Sequence, residues 1–138
     1  MRSTILHVKC PKCKQSLKDE LHLINGQPSI KVDVLMSGIR GSLYLSSIWG
    51  DYSKKSTVGI PNGAIVEMYC PHCSRRLISE KKCHDCHTWL VPMDLEEGGK
   101  VFICSRAGCH VHEIKPTDYR QLQAIQQNEY KSGFKDEM

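Results

Sequence analysis

CHDCHTWLVPMDLEEGGKVFICSRAGC, residues 83–109, begins and ends on a pair of cysteines. Cys83 and Cys86 enclose two residues, Cys104 and Cys109 enclose four, and seventeen residues separate the pairs. A Cys-x-x-Cys turn presents two sulfurs from one bend to a single ion, and a tetrahedral thiolate site needs two such turns. The stretch between them supplies a way to bring the turns together. Residues 89–95 read as a strand, Glu96, Glu97, Gly98 and Gly99 as a turn, and residues 100–103 as the return strand.

Two further pairs lie upstream, Cys10 with Cys13 and Cys70 with Cys73, each with proline after its first cysteine (Pro11 and Pro71). Proline fixes φ and helps preset the bend. The four pairs use all eight cysteines of the 138-residue chain. The first ten residues read as neither a signal peptide nor a membrane anchor, which points to a cytoplasmic, reducing compartment where thiols stay free. Cys10, Cys13, Cys70, Cys73, Cys83, Cys86, Cys104 and Cys109 are therefore the candidate ligands of two Zn²⁺ ions, with iron as the alternative. Eight thiolates and two divalent ions bring the formal charge of +4 to neutrality, so overall charge gives no argument for nucleic acid.

Which pairs share an ion is open at this level. Sequential grouping is favoured, because residues 63–70 and 99–104 each run turn, strand, then cysteine. The rivals are Cys70 and Cys73 joining Cys83 and Cys86, or a cross-brace of alternate pairs. The histidines beside the knuckles (His72, His84, His87, His110 and His112) are surplus to two four-coordinate sites and read as neighbours of the metal shell.

The Cys83, Cys86, Cys104, Cys109 spacing and the Gly98–Gly99 hairpin resemble a zinc ribbon, and are similar to the C-terminal ribbon repeats of bacterial type IA topoisomerases. Ribbon knuckles commonly carry glycine after the second cysteine; here Lys14, Ser74 and His87 stand in those places, and the aromatic residues of those repeats near the second knuckle are absent. The resemblance implies a fold and a ligand set, and carries nothing about DNA binding.

The fold class that follows is mainly β: two small zinc ribbons, the first with an antiparallel β-meander insertion, and a C-terminal α-helix. Ile30, Val32, Val34 and Met36 alternate with polar residues, as a half-buried strand does. Asn25-Gly26 and Pro61-Asn62-Gly63 mark turns. Gly38 and Gly41 read as brackets of another turn before a strand over 42–48, residues 49–56 as a loop, and residues 74–82 as a hinge. After Pro116, Tyr119, Leu122 and Ile125 form a narrow helical stripe with Thr117 as N-cap. The units expected are 1–76 (first ribbon, insertion at about 20–69), 77–115 (second ribbon) and 116–138 (helix and polar tail).

Tetrathiolate zinc is closed to water, and no nucleophile, phosphate-cradling or metalloprotease motif is present. No catalytic residue, small-molecule substrate or membrane association is therefore expected. The first expectation is a protein-interaction module or accessory subunit with a protein partner. The second is nucleic-acid binding, from Arg40, Tyr44, Trp49, Tyr52, Lys54 and Lys55, which place aromatics among cations. The third is a rubredoxin-like or iron–sulfur electron carrier.

Overall fold

A computed structural model describes residues 4–115. They form nine strands: β1 (Val8–Lys9), β2 (Lys18–Ile24), β3 (Gln27–Met36), β4 (Ile39–Leu45), β5 (Lys54–Ser56), β6 (Glu67–Tyr69), β7 (Leu90–Leu95), β8 (Lys100–Cys104) and β9 (His112–Lys115). No helix occurs among the described residues, and the helix expected after Pro116 lies outside them.

All pairings are antiparallel and make two sheets. One runs β1-β7-β8-β9, and the other runs β2-β3-β4-β5 with β6 also on β3. The meander begins at Asn25-Gly26, where both residues have positive φ (53° and 83°), as a two-residue hairpin turn of type I′ requires. Ser37-Gly38 makes the next turn the same way, with φ of 52° and 80°. Gly41 is therefore not a turn residue. It sits within β4 opposite Val34, where a Cβ would stand 2.5 Å from Val58 Cγ1, so only glycine admits the chain that crosses there. The expected loop over 49–56 ends in β5, which pairs with β4, and β9 adds an edge strand that the periodicity did not suggest.

The alternation in β3 behaves as read. Ile30, Val32 and Val34 are buried, and Leu43 faces Val32 across the ladder. They meet Val91, Met93, Leu95 and Val101 of the other sheet in one apolar core, joined by Leu6, Met36, Leu45 and Trp49 at its margin. Strand β7 is buried on both faces. Val91, Met93 and Leu95 enter this core, while Leu90 joins Phe102, Cys83 and Cys104 in a smaller cluster. That explains why β7 lacks a polar–apolar alternation.

The principal core draws on both sides of residues 76 and 77, and β1 pairs with β7 across that point, Val8 opposite Leu95. Residues 74–82, expected as a hinge, make contacts along their length. Leu77 is 2% exposed, Tyr69 bridges Arg76, and Ser79 N–H donates to Leu90 O at 3.1 Å.

Candidate metal centres

Three of the four knuckles are built alike. In each, the N–H of the first cysteine donates to a carbonyl five residues on: Gln15 at 2.9 Å, Arg75 at 2.9 Å and Thr88 at 2.7 Å. The residue after the second cysteine donates back to the first cysteine's carbonyl: Lys14 at 3.0 Å, Ser74 at 2.9 Å and His87 at 3.0 Å. Closing so tight a loop turns that residue left-handed, with φ of 66°, 64° and 65°. These are the positions where ribbon knuckles commonly carry glycine. Left-handed φ favours glycine, yet residues with a Cβ hold it at all three positions.

The chain then returns as a short antiparallel strand. Leu17 donates to Val8, Leu77 to Met68 and Leu90 to Lys81, at 3.0, 2.8 and 2.8 Å. The three leucines are 1%, 2% and 0% exposed and anchor their knuckles in the cores. Sequence reading missed them, although the signal was present: Cys-x2-Cys-x3-Leu occurs three times. The fourth knuckle, with four residues between its cysteines, turns through Gly108 at φ 91°, where a Cβ would collide with the Asn62 side chain.

The sulfurs gather into two sets, Cys10, Cys13, Cys70 and Cys73 in one, and Cys83, Cys86, Cys104 and Cys109 in the other. The sequential grouping is thus the one the fold assembles. Within each set all ligand atoms lie within 4.8 Å of one another. Cys10 to Cys73 is 3.8 Å, Cys13 to Cys70 is 3.7 Å, Cys83 to Cys109 is 3.7 Å, and Cys86 to Cys104 is shorter at 3.3 Å. A zinc–sulfur bond of about 2.3 Å sets the edge of a tetrahedron at about 3.8 Å. Three of these four separations match that edge, and the fourth needs to open by a few tenths of an ångström. The donor set fits a four-coordinate thiophilic ion.

Backbone N–H groups converge on the innermost sulfurs. Lys12 and Cys13 point at Cys10, His72 and Cys73 at Cys70, Asp85 at Cys83, and Arg106 at Cys104, all between 3.3 and 3.5 Å. These donors favour thiolate over thiol. Burial works the other way, pushing Cys70 and Cys109 up to about 12. The Arg75 N–H beside Cys73 draws that thiol down to about 7. At Cys86 burial is outweighed by Thr88, Cys104 and Arg106, which bring it to about 5. Four sulfurs this close repel one another as anions, and a divalent cation among them removes the repulsion.

An ion-pair cluster centred on the buried Asp94 ties the first centre to the sheet. Lys14 Nζ reaches Asp94 Oδ2 at 2.7 Å, and Lys100 Nζ reaches Oδ1 at 2.6 Å. Burial alone raises the Asp94 carboxyl, but the hydrogen bonds and charges of Lys100 and Lys14 hold it below its ordinary 3.8.

Three of the histidines beside the knuckles have contacts of their own. His72 Nε2 meets Ser16 O at 3.0 Å, His84 Nδ1 lies 3.6 Å from Glu113, His110 stacks on Tyr52, and His87 is an exposed turn residue. The six residues singled out for nucleic acid differ in exposure, and Tyr44 stands opposite Lys55 in the β4–β5 ladder. Trp49 packs on the principal core and Tyr44 is 7% exposed beneath His22, while Tyr52, stacked on His110, stays at the surface with Arg40, Lys54 and Lys55.

Comparison with protein-family models, curated proteins and solved structures found no match to this chain.

Proposed function

We propose that this is a non-catalytic β protein of zinc-ribbon type, stapled by two structural Zn²⁺ ions, that works as a protein-interaction module or accessory subunit. The observation that carries the reading is the pair of closed four-sulfur sets. In each, the first cysteine of either knuckle is buried, and four sulfurs fill a tetrahedron without leaving a position for water or substrate. Such a centre supplies folding free energy and a rigid frame. Eight free thiols suit a reducing compartment such as the cytoplasm. Among the described residues no helix is long and apolar enough to cross a membrane.

A partner is suggested by the apolar side chains left in water. Leu21 is 90% exposed, Ile39 60%, Ile65 52% and Leu23 51%. A second reading, nucleic-acid binding, is favoured by Lys82 Nζ standing 4.8 Å over the ring of the exposed Trp89. A cation and an exposed aromatic side chain together are what stack a base and neutralise its phosphate.

Elemental analysis of protein purified without added metal tests the chemistry: two zinc ions per chain are expected. One iron per site with visible absorbance would replace zinc by a redox role, and no metal in a folded chain would overturn the reading. Affinity purification from native extract tests the partner. Recovery of the chain alone, together with oligonucleotide affinity that falls with salt, would transfer the function to the second reading.

A further inference from the structure

One side-chain hydroxyl enters the second centre and has no counterpart in the first. In the second, Thr88 Oγ1 lies 3.0 Å from Cys86 Sγ and 3.2 Å from Cys104 Sγ. Thr88 is 9% exposed, and its two sulfur neighbours belong to opposite knuckles. They are also the closest sulfur pair in the molecule among the described residues, at 3.3 Å. At the equivalent position, two residues past the second cysteine, the first centre carries Gln15 and Arg75, both exposed. Its inner sulfurs receive only backbone N–H groups, two each, from Lys12 and Cys13 and from His72 and Cys73, where Cys83 and Cys104 of the second centre receive one each, from Asp85 and Arg106.

We infer that Thr88 is a positioning residue that makes the second centre hold its ion more tightly than the first. The inference rests on the reading of both sets as metal sites. A thiolate only accepts hydrogen bonds, so once the sulfurs are ligands the single hydroxyl proton of Thr88 is donated to them. Sharing it between Cys86 and Cys104 spreads negative charge away from the most crowded edge of the tetrahedron. It also fixes the two knuckles relative to each other before the ion arrives, so less ordering accompanies binding. Groups that support ligands in this way alter metal affinity about 10- to 100-fold.

The full chain is loaded with ¹¹³Cd²⁺, which gives one NMR resonance per centre, and a chelator is titrated in. Couplings to the cysteine β-protons assign each resonance. In the wild type the Cys83, Cys86, Cys104, Cys109 resonance is expected to disappear last. In Thr88→Val that resonance shifts and is lost at about 10- to 100-fold lower chelator, while the other is unmoved. Thr88→Ser, which keeps the hydroxyl, restores the wild-type order. Loss of the second-centre resonance first in the wild type overturns the inference without needing any variant to fold. An unshifted resonance in Thr88→Val overturns it as well. Failure of the wild type to take up metal would instead sink the metal reading itself.

Discussion

Replacing Ser74 by glycine should stabilise this protein, against the usual expectation for a residue next to a metal ligand. Ser74 follows Cys73, is exposed, and holds φ at 64°. A residue with a Cβ is disfavoured there by roughly 1–2 kcal/mol. Glycine removes that cost but adds freedom to the unfolded chain, worth about 0.4–1 kcal/mol in the opposite sense. The net gain is then about 0.5–1 kcal/mol. His87→Gly, at φ 65° and also exposed, should behave alike. Lys14→Gly should not, because Lys14 also reaches Asp94. Denaturant unfolding of the metal-loaded chain, at fixed free metal, measures these differences. Arg75→Gly provides the control: it lies one residue further on, is absent from the residues of positive φ, and should destabilise. If Ser74→Gly and Arg75→Gly lower stability equally, left-handed strain at the knuckles is not the governing factor and the reasoning fails.

Asp94→Asn should cost about 1–2 kcal/mol, since its carboxylate is buried but both lysine partners are half in water. The Asp94 carboxyl is depressed in the folded chain, so its stabilisation is complete above the unfolded value of 3.8 and is lost as pH falls through the lower folded value. The unfolding free-energy difference between wild type and Asp94→Asn, followed from neutral pH downward, should shrink only in that acid range. Leu77→Ala removes a side chain that is 2% exposed at the foot of the second knuckle, and should cost about 2–5 kcal/mol in the same unfolding assay. Stripping metal with a strong chelator under reducing conditions should collapse the dispersed NMR spectrum. Structural zinc contributes on the order of 10 kcal/mol per site, comparable with the whole stability of a small domain. Retention of the native spectrum would argue that the apolar core suffices.

Residues close together in the chain could be read without coordinates. The cysteine pairs, the Asn25-Gly26 turn and the alternation of Ile30, Val32 and Val34 each express a preference decided within a few residues. The threefold Cys-x2-Cys-x3-Leu pattern is equally local, each leucine standing four residues past a cysteine. Gly41 was misread because a glycine that admits a crossing chain looks, in sequence, the same as one that makes a turn.

By itself the sequence determined that eight thiols come in four bends on a β framework, because bends and strands follow from short-range sterics and side-chain periodicity. Only the tertiary structure decided which bends meet in one four-sulfur set, that β1 joins the sheet of β7, and that Thr88 and Asp94 stand against those sets. Those facts depend on the path of the β3–β6 meander, which brings Cys10 and Cys73 together across 63 residues of chain. Closing a loop of that length costs nearly the same entropy for any of the rival pairings, so the choice falls to core packing, which no local pattern encodes.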